Sequence, residues 1–299
     1  MQSSKARFVL VVLGALCTQN AFAQAGHGTQ GAEAEPSRMQ LWRVPTPDPD
    51  VAARAVLFRP PGDGPFRLAV IVHASTQNAL RRAQMPQPEY RALAAWLVAR
   101  GFAVLVPERP GHGATGGRYL EDQGGCDEAD YARAGRATAD AIAAAAGFVR
   151  QQPFIRPDGM VMVGHSAGAW GALALAGENP KHISAIIAFA PGRGGHANDE
   201  PNKVCAPHTL LAAAAEFGKA ARVPVTWLVA ANDTYFSPEL SQRLADAFRG
   251  SGGKVEFRVL AASGSEGHWL AESEAGIKIA DPELERALKR LAPGGAKKR

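Results

Sequence analysis

Three segments of this chain carry residues whose types could act together on an acyl group. Gly164-His165-Ser166-Ala167-Gly168 sets a serine between small residues, Asn232-Asp233 offers a carboxylate, and Gly267-His268 offers an imidazole. A serine hydroxyl is a weak nucleophile at its own pKa, so it needs a base, and the base needs a group that holds its tautomer. Ser166, His268 and Asp233 can fill those roles. The pentapeptide alone decides little, because a glycine-rich turn whose serine merely caps a helix reads the same way. Its setting decides more. The hydrophobic run Met160 to Val163 leads in and the alanine-rich stretch Ala167 to Gly177 leads out, the strand, tight turn and helix that expose a nucleophile. Taken singly, Asp233 is a turn or N-cap residue and His268 a solvated loop residue. Placed after successive strands, in the order Ser, Asp, His, they read as a catalytic set.

The elements that must position these residues follow in rotation. Strands are expected at Met39 to Val44, Val51 to Phe58, Leu68 to His73, Phe102 to Val106, Met160 to Val163, Ile183 to Ala190, Val225 to Ala230 and Val255 to Leu260. Helical spacing covers Glu89 to Arg100, Asp127 to Gln152, Ala167 to Gly177, Leu210 to Ala221, Pro238 to Gly250 and Pro282 to Leu291. Buried aliphatic strands alternating with helices imply a mostly parallel, twisted sheet of about eight strands with helices on both faces. The first two strands suit an antiparallel edge. In such a sheet, functional groups gather in loops at the carboxyl ends of strands.

With the elbow at residues 164 to 168, the Asn232 to Pro238 segment, the Gly267-His268 loop and Arg109-Pro110-Gly111-His112-Gly113, the chain resembles the α/β-hydrolase superfamily, in the style of its dienelactone-hydrolase-like members. The resemblance covers residue 50 to the end. It implies the α/β-hydrolase fold, with Ser166 as nucleophile, His268 as general base, Asp233 as orienting acid, and no cofactor or metal. Dienelactone hydrolases use cysteine, so the serine here departs from that activity. An oxyanion hole needs two backbone N–H donors. The first is expected from Ala167, and the second from Ser75 or Ala74 in His73-Ala74-Ser75-Thr76-Gln77, where the family commonly has His-Gly. Asp199 and Glu200 are the rival orienting acids. His73, His112 and His165 are expected near one rim without the spacing of a metal site, and His182, His196 and His208 at the surface. Trp170 and Tyr235 are candidate apolar walls of the cleft.

The composition fits this frame. The chain has 299 residues, 46% hydrophobic and 20% charged, which excludes disorder, collagen and a coiled coil. Lys5 and Arg7 before Phe8 to Ala15, closed by Ala21-Phe22-Ala23, read as a secretory signal cleaved after Ala23. The domain reading is then signal peptide 1 to 23, flexible leader 24 to 38, hydrolase domain 39 to 293 and basic tail 294 to 299. Cleavage lowers the formal charge from +5 to +3, which Lys297, Lys298 and Arg299 account for alone. No basic stripe indicates nucleic acid, and nothing after the signal indicates a membrane. Cys126 and Cys205 remain as an even pair in an oxidising compartment and read as a disulfide joining loops 109 to 125 and 191 to 206. The expected activity is hydrolysis of a small-molecule ester, lactone or thioester through an acyl-enzyme. A peptidase or amidase on the same fold, or an inactive binding protein, are the alternatives; oligomeric state is left open.

Overall fold

The computed structural model describes residues 26–290, so the signal segment and the basic tail lie outside the described residues. The chain opens with β1 (Gly28–Thr29), β2 (Gln40–Val44), β3 (Ala53–Phe58) and β4 (Arg67–Val72). It continues through α1 (Ala79–Ala83), α2 (Arg91–Val98), β5 (Phe102–Pro107), α3 (Tyr131–Arg150), β6 (Met160–His165) and α4 (Ala167–Gly177). β7 (Ile183–Phe189), α5 (Pro207–Gly218), β8 (Val225–Ala230), α6 (Pro238–Gly250), β9 (Val255–Leu260) and α7 (Glu274–Lys289) complete it. The strands form one sheet in the order β1-β2-β3-β5-β4-β6-β7-β8-β9. Pairing is antiparallel from β1 through β3 to β5 and parallel from β5 to β9.

The pleat sends alternate residues of each strand to opposite faces. In β4, Leu68, Val70 and Val72 join Trp170, Phe217, Leu244 and Phe248 from α4, α5 and α6. Ala69 and Ile71 join Leu93 and Leu97 of α2 and Leu284 of α7 on the other face. Both faces are covered, which is why these strands read as unbroken aliphatic runs. Each fully buried Val, Leu or Ile contributes about 1.5–3 kcal/mol.

The sheet has nine described strands, one more than expected. β1 lies inside the segment read as a leader, because Gly28 and Thr29 pair with Arg43 and Trp42 while the His27 ring packs at 5.6 Å on Phe148. The last helix also begins earlier than expected, at Glu274, with Pro282 in its interior. An apolar stripe of Ile277, Ala280, Leu284 and Ala287 runs past the proline into the core, and that burial outweighs one missing backbone bond.

Candidate active site

Ser166 sits where β6 turns into α4, with φ 54° and ψ −120°. A serine there carries backbone strain of about 1–3 kcal/mol, which the surrounding packing must sustain. The Ser166 N–H donates to the Phe189 carbonyl (2.9 Å), and the Ser166 carbonyl accepts from Trp170 N–H (2.9 Å). The turn is possible only with glycine on either side. A Cβ on Gly164 would overlap the Ala169 backbone, and one on Gly168 would overlap the carbonyl oxygens of Val72 and His73.

Asp233 follows β8 and His268 follows β9, both buried. Asp233 Oδ1 accepts the N–H groups of Tyr235 and Phe236 (2.9 Å each), and Oδ2 lies 3.1 Å from His268 Nδ1. A proton on Nδ1 is therefore held by the carboxylate, leaving Nε2 as the basic nitrogen. Burial lowers the pKa of His268, and the Asp233 hydrogen bond and charge offset only part of that. Glu266 fastens the two loops together, its Oε1 accepting Thr234 N–H (3.1 Å) and His268 N–H (3.0 Å). Tyr235 stacks on the His268 ring at 4.3 Å and on His196 at 3.5 Å.

The segment after β4 is held by residues remote in sequence. The His73 carbonyl accepts from Arg109 Nη1 (2.7 Å), and Ala74 N–H donates to Tyr90 Oη (3.1 Å). His73 donates from Nδ1 to the Ala74 carbonyl (2.6 Å) and accepts Arg109 N–H on Nε2 (3.1 Å). His112 donates from Nδ1 to the carbonyls of Arg109 and Pro110 (3.1 Å each), so its Nε2 accepts the Ser75 hydroxyl (2.7 Å). Both imidazoles are buried neutral: His73 is pushed well below its usual pKa by burial and Arg109, and His112 down to about 4 by burial. The Ser75 N–H has no acceptor among the described residues.

Beneath this segment Glu121 lies buried between the guanidinium groups of Arg109 and Arg193. Burial opposes its ionisation, but the two arginines outweigh that and hold its carboxyl far below the usual range. Arg193 also donates to Thr138 Oγ1 (2.8 Å), so the loops after β5 and β7 are joined through one buried carboxylate. They are joined again by the Cys126–Cys205 disulfide, 79 residues apart in sequence.

Ser166, Ala167, Ala74, Ser75, Tyr235 and His268 line one cleft of about 740 Å³, a volume suited to a small organic ligand. Its opening is bounded by Arg81 and Asp199, 3.5 Å apart and both exposed. Asp199 is thus engaged at the rim, and the exposed Glu200 pairs with Lys203 at 3.4 Å, so neither approaches the imidazole as Asp233 does. Trp170 is not a wall: it is fully buried on the inner side of α4, donating to the Tyr131 carbonyl (2.9 Å) and packing on Phe217. His196, expected at the surface, is a cleft residue instead, because Tyr235 offers it a ring face. Tyr90, Glu121, Arg193 and Glu266 were not singled out by sequence; they lie in irregular segments or at a helix start, where no periodicity marks them.

The family described as serine aminopeptidase, S33 matches residues 87–217. No curated protein sequence matches the chain. Among solved structures, an esterase of Pyrococcus furiosus superimposes with a TM-score of 0.58 at 14% identity, covering 89% of this chain and 97% of its own. A Klebsiella pneumoniae protein assigned to the dienelactone hydrolases gives 0.56 at 16% identity, covering 85% and 98%. A puromycin-hydrolysing peptidase of Mycobacterium tuberculosis gives 0.59 at 17% identity, covering 83% of this chain but 38% of its own. The chain therefore has the α/β-hydrolase fold. In architecture it is similar to the dienelactone hydrolase-like and esterase members of that superfamily.

Proposed function

We propose that the protein is a secreted serine hydrolase of carboxylic esters, working through Ser166, His268 and Asp233. The observation that carries this reading is a strained, cleft-facing serine in the same cleft as an imidazole whose Nδ1 is held by a buried carboxylate. Ser166 Oγ attacks the carbonyl carbon of the ester while its proton passes to His268 Nε2. The oxyanion formed is met by the Ala167 and Ser75 N–H groups, Ser75 being preferred to Ala74 because the Ala74 N–H donates to Tyr90. Collapse expels the alcohol with the proton from His268 and leaves an acyl-enzyme. Water, deprotonated by His268, then attacks the acyl carbon, releases the acid and restores Ser166.

Ester cleavage is favoured over peptide cleavage because the peptidase neighbour carries most of its length outside the matched part, whereas the esterase is matched almost whole. Secretion rests on the segment up to Ala23. No helix among the described residues is long and apolar enough to cross a membrane. A fluorophosphonate probe tests the reading. Wild-type protein takes up label at Ser166 and hydrolyses short-chain aryl esters, whereas Ser166→Ala does neither; a Ser166→Ala variant that still labels and hydrolyses overturns it.

A further inference from the structure

Tyr90 belongs neither to the proposed triad nor to the pair of N–H donors, yet its backbone is left-handed, with φ 48° and ψ 44°. A bulky residue occupies that region at a cost of about 1–3 kcal/mol, and such strain persists where the surroundings enforce it. Here it sets the place of one hydroxyl. Tyr90 Oη accepts the Ala74 N–H (3.1 Å), lies 2.9 Å from His165 Nδ1, and donates to Glu272 Oε1 (3.3 Å). His165 is the residue before Ser166, and its Nε2–H donates to the His268 carbonyl at 2.8 Å. Glu272 closes the short 3-10 turn Gly267–Glu272 that carries His268. One oxygen thus touches the segment after β4, the serine elbow and the imidazole loop.

The contact with Ala74 has a geometric consequence. The peptide unit between His73 and Ala74 is gripped at both ends, its oxygen by Arg109 and its N–H by Tyr90. The next unit has its oxygen held by His73 Nδ1. With one peptide plane fixed at both ends and the following one at its oxygen, the Ser75 N–H has a single direction. Removing the tyrosine hydroxyl frees one end of the first plane and lets that N–H swing.

We propose that Tyr90 is a positioning residue for the reaction: its hydroxyl aims the Ser75 N–H at the oxyanion and fixes that donor's distance from the His268 loop. This rests on the triad reading above, and the experiment separates the two. Active sites are counted with the fluorophosphonate probe, kcat and KM are expressed per labelled site, and Ki is measured for a boronic acid that forms a tetrahedral adduct on serine. In Tyr90→Phe, kcat per labelled site falls about 10- to 100-fold, KM stays within about 3-fold, and the boronic acid Ki rises in step with the loss of kcat/KM. A merely structural tyrosine lowers the labelled fraction and leaves these per-site constants alone. Glu272→Ala, which frees the hydroxyl without removing it, moves kcat and Ki the same way by about 3- to 10-fold, and it carries the test should Tyr90→Phe not fold. Wild-type protein without label overturns the triad reading. Normal label with kcat per site within about 2-fold in both variants, or a change in KM alone, overturns this one.

Discussion

The cleft is built from two arms that are held in different ways. The imidazole arm, Asp233 and His268 with their loops, has supports close in sequence as well as distant ones: Asp233 caps the N–H groups two and three residues on and Glu266 caps His268 two residues on, while Glu266 also ties in Thr234 and His165 holds the His268 carbonyl. The proposed oxyanion arm, residues 73 to 75, is pinned chiefly by side chains 16 to 37 residues away in sequence, namely Tyr90, Arg109 and His112. The first arm is specified in part by short motifs that carry some of their own supports. The second is specified by the packing of other loops, through neutral histidines and a buried ion cluster. Damage to the second should therefore reach stability as well as catalysis.

The largest expected effect falls where the elbow meets the oxyanion arm. A Cβ in Gly168→Ala would overlap the Val72 and His73 carbonyls, so either the elbow or the arm must move. Backbone atoms cannot rotate aside as a side-chain tip can, and the cost should exceed about 3 kcal/mol. Thermal unfolding should show a Tm lower by roughly 6–12 °C, and fluorophosphonate labelling should be lost. A variant of unchanged Tm that labels normally would mean that the two segments are not rigidly joined.

This contrast also explains what the sequence reveals. The elbow is legible because its chemistry forces residue types: only glycine fits at 164 and 168, and only a hydroxyl or thiol serves at 166. Asp233 and His268 stand out in the sequence only by their placement after successive strands, and the parallel strands are legible because their two covered faces leave a continuous aliphatic signature. The oxyanion arm is obscure because a backbone N–H belongs to every residue except proline. What favours Ser75 over Ala74 for the proposed role is the acceptor already held by Ala74, and Tyr90 shows no sign of that duty in its local sequence. β1 is obscure too, since two residues on an edge carry no period, and the start of α7 is obscure because Pro282 reads as a helix start and masks the stripe from Ile277 to Ala287.

Acidification should separate the arms next. His112 and His73 are neutral when folded and ordinary imidazoles when unfolded, so at acid pH the unfolded chain binds more protons. Stability due to His112 is complete above pH ~6.5 and is lost as pH falls toward its folded value of about 4. The loss from His112 alone is on the order of 3 kcal/mol, and His73 adds to it. His268, also buried with a lowered pKa, adds to that loss and in addition reports through the rate. It must be neutral to act as base, and its pKa is lowered, so kcat/KM should rise with pH through an ionisation below ~6.5 and be flat at pH 7. Denaturant unfolding and initial rates measured from pH 4 to 8 should therefore show a reversible catalytic limb together with a falling midpoint. A midpoint that does not change with pH would contradict the buried neutral histidines.

The smallest effect should come from the pin of the imidazole arm. Glu266 Oε1 accepts two backbone N–H groups and Oε2 accepts the Thr234 hydroxyl. In Glu266→Gln an amide oxygen can keep both N–H bonds and the amide nitrogen can donate to the Thr234 hydroxyl oxygen, so the charge is removed and the bond to Thr234 is reversed. The expected cost is about 1 kcal/mol, with kcat within about 3-fold of wild type. Glu266→Ala loses all three bonds and should cost about 2 kcal/mol, chiefly in stability. If instead Glu266→Gln lost as much kcat as Asp233→Asn, the negative charge of Glu266 would be acting on His268. The orienting acid of the imidazole arm would then be shared between two carboxylates, and that arm would be held by charge as well as by geometry.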